Sequence, residues 1–110
     1  MSAEEFEDEV SRVLAGLPRE LSRRIRNVSF AVEDGEDMHL LGLYHGISLD
    51  RRGDNYAFAL PDMITIYRLP ILARCRSHED VLHEIEVTVK HEVGHYFGID
   101  DDRLHELGWG

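Results

Sequence analysis

Phe6, Val10, Val13, Leu14 and Leu17 recur at the spacing of one helix face, and Glu4, Glu5, Glu7, Asp8 and Glu9 fill the positions between. This pattern predicts an amphipathic helix with its acids early, where the helix dipole favours them. Pro18 breaks it, and Leu21, Ile25 and Val28 suggest a short helical turn leading into extended chain. Over residues 28–33 the period becomes two, with Val28, Phe30 and Val32 on one side of a half-buried strand. Residues 34–37 end it as a loop. Residues 40–49 predict a second strand whose glycines mark a bulge, closed by the turn-prone residues 50–55. Residues 63–68, rich in β-branched and aromatic side chains, predict a third strand stopped by Pro70.

Residues 71–76 suggest a short helix. Ser77 followed by His78, Glu79 and Asp80 is a helix start with acids in the first turn. Val81, Leu82, Ile85, Val89 and Val93 then give an apolar face to a long helix from about residue 78 to residue 97, and Gly98 supplies its left-handed terminator. One last short helix is expected over residues 101–108, with aspartates at its start and Gly108 at its end. No repeat, linker or low-complexity stretch interrupts this order.

Composition narrows the possibilities. A chain of 110 residues, 43% apolar, supports one modest core and is expected to form a single domain. The formal charge of −10 argues against attraction to nucleic acid or an anionic membrane surface. No apolar run has the length of a membrane span, and residues 1–9 lack the pattern of a signal peptide, so a soluble, cytoplasmic protein is expected. The lone Cys75 has no thiol partner and is expected to be inert.

Candidate chemistry is concentrated at the end of the long helix. His91 and His95 are four residues apart, so their imidazoles lie about 40° apart around the axis and one turn apart along it, within reach of one ion. Zinc suits such ligands, and a catalytic site takes three protein ligands and leaves a fourth position to water. Asp101, six residues after His95 and beyond the turn at Gly98, supplies the third. Glu92 follows the first histidine and is placed to act as general base. A His-Glu-x-x-His match alone arises in roughly one such sequence in 20; adding the glycine and aspartate at their spacings lowers this to about one in 3,000.

The stretch from His91 to Asp101, with Leu41-Gly42-Leu43-Tyr44, the residues from Leu60 to Arg68 and those from Arg103 to Gly108, resembles the small bacterial zincin-like metallopeptidase family, the minimal zincins. The likeness runs from about Asn27 onward. It implies an α+β domain with an N-terminal helix, a small mixed sheet of three to four strands, a long active-site helix and a short C-terminal helix. It also implies one zinc ion on His91, His95 and Asp101, with catalysis by Glu92. A metzincin would have histidine where this chain has Asp101. Few residues follow Asp101 in this sequence, so neither a methionine-containing turn nor a C-terminal subdomain is expected, and substrate binding should be shallow. In zincins the strand ahead of the active helix pairs with extended substrate; the counterpart here is Ile64, Thr65, Ile66, Tyr67 and Arg68, read as an edge.

Other residues are weaker candidates. His105 could orient Asp101 or replace it as a ligand, and Glu84 and Thr88 could support the metal ligands by hydrogen bonds. Tyr44, Tyr67 and Tyr96 could steady an oxyanion, although aromatic packing is the commoner role. His39, His45, His78 and His83 receive no role, and Trp109 is expected to clamp the last helix. The expected function is a zinc-dependent peptidase acting on exposed, extended peptide or protein segments. The contrasting possibilities are a catalytically silent zinc-binding module for peptide interaction and a hydrolase of small amides.

Overall fold

The computed structural model describes residues 1–46 and 61–106. The turn expected at residues 50–55, the later part of the strand expected over residues 40–49, and the terminal Gly108 and Trp109 lie outside the described residues. Helix α1 (Ala3–Ala15) is closed at its start by a reciprocal cap. Ser2 Oγ accepts the N–H of Glu5 at 3.1 Å, and the Ser2 N–H donates to Glu5 Oε1 at 3.3 Å. This pairing holds the Glu5 carboxyl below its ordinary range. The expected apolar stripe packs inward: Phe6, Val10, Val13 and the following Leu17 are buried. Helix α2 (Arg19–Ser22) is a single turn after Pro18. Asn27, at φ 58°, then turns the chain into strand β1 (Val28–Glu33).

Strands β2 (Gly42–His45) and β3 (Asp62–Tyr67) complete a mixed sheet in the order β1-β3-β2. β3 runs parallel to β1, with Phe30 opposite Ile64 and Val32 opposite Ile66, and antiparallel to β2, with Gly42 opposite Ile66 and Tyr44 opposite Ile64. Paired residues share a sheet face, so Phe30, Val32, Tyr44, Ile64 and Ile66 all line the side that meets helix α4 (His78–Tyr96). Helix α1 packs against α4 and β1, closing a core that also holds Ile71, Val81, Ile85, Val89, Val93 and Tyr96. The molecule is therefore α+β, with five helices and a three-stranded mixed sheet among the described residues. No helix among them is long and apolar enough to cross a membrane.

Two expectations about strands are corrected. The second strand begins at Gly42, because the Leu40 N–H is taken by Asp37 O in a turn. The third begins at Asp62 and ends at Tyr67, and Pro70 does not stop it: Arg68 opens helix α3 (Arg68–Arg74), with Pro70 third in that helix. A first-turn N–H has no partner inside the helix, so proline is tolerated there. More consequentially, β3 is the central strand. Its backbone groups pair with β1 on one side and β2 on the other, so it offers no edge to a peptide. Ile64 and Ile66 are buried on the face towards α4, and Thr65 is buried on the other face, where Met63 and Leu43 are exposed.

Candidate metal centre

The anchoring of α4 decides where its chemistry points. Ser77 Oγ accepts the N–H of Asp80 at 3.1 Å and caps the first turn. Val81, Ile85, Val89 and Val93 bury a stripe of i and i+4 positions, which leaves His91 and His95 half-exposed on another face. At the far end Gly98 takes φ 81°. Its N–H bonds His95 O at 2.9 Å, and the Ile99 N–H bonds Gly94 O at 3.0 Å. These two bonds form a Schellman motif, which satisfies the last carbonyls and reverses the chain. Asp100 then caps helix α5 (Asp101–Glu106) by accepting the N–H of Arg103 at 2.9 Å.

The reversal carries Asp101 back over the two histidines. Its Oδ1 lies 2.8 Å from His95 Nε2 and 3.2 Å from His91 Nε2. The imidazole rings are 4.5 Å apart and inclined by 71°. Potential ligand atoms of His91, Glu92 and His95 all lie within 4.8 Å of one another. The hydrogen bond from His95, aided by the charges of His95 and His91, holds the Asp101 carboxyl below its ordinary range, so it is ionised at neutral pH. Its side chain is exposed, and the effect comes from pairing rather than burial. The donor set fits zinc: two imidazole nitrogens and a carboxylate oxygen converge at spacings close to the about 3.3 Å edge of a tetrahedron with ligands at about 2.0–2.1 Å.

Glu92 is buried, at 6% exposure, and its Oε1 lies 3.2 Å from His95 Nδ1. With a metal on His95 Nε2, the ring proton would belong on Nδ1 and be donated to Glu92, which would fix the tautomer. What brings Glu92 into place is Gly42 on β2. A Cβ at Gly42 would stand 2.9 Å from Thr88 Cγ2 and 3.0 Å from Glu92 Cγ, so the strand approaches the helix in a way no other residue permits. The glycine in the strand was the available signal, and close approach to a helix rather than a bulge is what it marks at this position. Beside the histidines opens a cavity of about 680 Å³ that Gly42, Thr88, His91, Glu92 and His105 help to line.

The structure thus brings His91, Glu92, His95 and Asp101 together and leaves the expected substrate strand apart from them. Ile64 and Ile66 are sealed in the core, and Thr65 is on the opposite sheet face. Arg68 is held at the start of α3 by Asp34 Oδ1 at 3.1 Å and Met1 O at 2.9 Å. His105 makes no hydrogen bond to Asp101 among the described residues; it faces the cavity, as do His39 and His83, to which no role had been given. Glu84 pairs with Arg74 at 3.8 Å. Tyr96 is fully buried, and its hydroxyl accepts the Arg26 N–H at 3.1 Å. Tyr44 packs edge-on against Tyr96 at 6.1 Å and donates to the buried Asp62 at 2.6 Å, a pairing not foreseen. Burial pushes the Cys75 thiol up, consistent with an unreactive residue.

The family model described as Zincin-like metallopeptidase matches residues 24–109. No curated protein matches the sequence. The matched span includes the whole sheet, α4 and the His91-Glu92-x-x-His95 group with Asp101 facing both imidazoles. The chain belongs to the zincin-like metallopeptidase family.

Proposed function

We propose that the protein is a zinc-dependent peptidase in which one ion per chain is held by His91 Nε2, His95 Nε2 and Asp101 Oδ1. The observation that carries the proposal is the convergence of both Nε2 atoms on a single Asp101 oxygen, at 3.2 and 2.8 Å, beside a buried glutamate. Bound there, zinc supplies Lewis acidity towards a peptide carbonyl and makes water at its open position more acidic.

The chain's own groups supply the remaining steps. Glu92 uses Oε1 to hold His95 Nδ1–H, which leaves Oε2 to take the proton from the attacking water. As the C–N bond breaks, the same carboxyl returns that proton to the leaving amine, so the base is regenerated. Residues 39–42, which lead into β2 at the edge of the described sheet, line the cavity. An extended substrate would lie along these residues, in place of the pairing with β3 that the topology excludes.

Metal analysis and digestion of a peptide library by wild type and Glu92→Gln test the proposal. The variant is expected to keep its zinc and lose cleavage by about 100-fold or more, the usual size of a general-base contribution. Equal cleavage by both proteins rejects Glu92 as base. A wild-type chain that binds no zinc at neutral pH rejects the site, and one zinc per chain with no cleavage in either protein indicates a binding module.

A further inference from the structure

Thr88 stands on α4 one turn before His91, and it is 5% exposed. Its methyl carbon is the atom that abuts Gly42. Its hydroxyl makes no hydrogen bond among the described residues. Among the described residues no side-chain oxygen or nitrogen sealed from solvent lacks a partner, so the Thr88 oxygen reaches solvent, and a space this residue lines is the cavity beside the candidate metal centre. A threonine within a helix ordinarily returns its hydroxyl to the carbonyl four residues back or faces bulk water. Thr88 does neither.

A hydroxyl in such a place loses hydrogen bonding when the cavity fills, unless the occupant supplies a partner. The walls carry Leu40, Leu41 and Val87 beside His39, Arg74, His83, Glu84 and His105; Thr88 and Glu92 are the buried polar residues among them, and Thr88 is the one without a hydrogen bond among the described residues, so it bears on which occupant fits. We infer that Thr88 is a specificity-determining residue: its hydroxyl hydrogen-bonds the side chain of the peptide residue that enters this cavity, which selects an amide or hydroxyl tip over the aliphatic isostere. The inference rests on the peptidase reading for the nature of the ligand. A threonine hydroxyl both donates and accepts, so it serves Asn and Thr alike, whereas Leu or Val in the same space leaves it unpaired.

The test uses the full chain loaded with zinc and a fixed-frame peptide library with Asn, Leu, Thr or Val placed in turn at each position. Binding is read by fluorescence anisotropy on Glu92→Gln, alone and combined with Thr88→Val or Thr88→Ser, while cleavage is read on the wild type. At one position Asn and Thr peptides should bind about tenfold more tightly than their Leu and Val counterparts. Thr88→Val, which keeps the methyl against Gly42, should erase that difference without changing zinc content or melting temperature, and Thr88→Ser should preserve it. Cleavage by the wild type with no such preference, or with one that survives Thr88→Val, overturns the inference and leaves the peptidase reading standing. A Thr88-dependent preference without cleavage does the reverse, and the absence of both overturns both.

Discussion

At Gly42 the missing side chain does structural work, because Thr88 and Glu92 together occupy the space a Cβ would need. Neither neighbour is the far end of a flexible chain: the contacts are with a threonine methyl and a glutamate Cγ, both on a packed helix. Gly42→Ala must therefore push β2 away from α4 or turn Glu92 away from His95. We expect a loss of about 1–3 kcal/mol in urea unfolding, the usual cost of inserting a carbon into a packed interface. Cleavage should fall further than the folded fraction accounts for, since Glu92 Oε1 is only 3.2 Å from His95 Nδ1 and a small displacement breaks that contact. A variant with the wild-type unfolding midpoint and full cleavage would show that the approach is not tight.

Helix α4 places the proposed metal ligands through its ends as much as through its periodicity. The Ser77 cap starts it and the motif at Gly98 ends it, and the second of these also sets the return of Asp101. Gly98 holds φ 81°, where an L side chain costs about 1–2 kcal/mol. Gly98→Ala should lose about that much stability by chemical denaturation, and its zinc dissociation constant should rise several-fold because Asp101 no longer returns at the same angle. Gly98→Asn, which tolerates the left-handed conformation better, should be affected less. If alanine bound zinc as tightly as glycine does, the placement of Asp101 would have to come from α5 rather than from the turn.

For the molecule as a whole, the proposed zinc site would link metal binding to folding, because an unfolded chain does not hold three ligands in place. Free zinc at 1,000 times its dissociation constant would stabilise the folded state by about 4 kcal/mol. For a chain of this size that corresponds to a rise on the order of 10–20 °C in melting temperature. Wild type titrated with zinc and then with a chelator should show the rise and its reversal. Asp101→Asn should show most of the rise removed while its metal-free melting temperature changes little, since Asp101 is exposed and an asparagine oxygen can still accept from His95. A melting temperature indifferent to zinc would count against the site.

The sequence by itself determined what is local. The spacing of His91, Glu92 and His95 is a property of one helix, the terminator at Gly98 acts within a few residues, and Asp101 follows within one reversal of the chain. The stripes of α1 and α4 were legible for the same reason: burial of one face follows the helical period. Only the tertiary structure decided what lies far apart in sequence. Strand order depends on which crossover the chain takes, so β3 entered the middle of the sheet and lost the edge that the family resemblance had suggested. The bond between Tyr44 and Asp62 and the seat of Gly42 between Thr88 and Glu92 require elements that meet only after the sheet has closed on α4. That contact also turns a pattern of candidate metal ligands into a centre with a buried glutamate and a cavity beside it, because no helix alone can bury its own side chains.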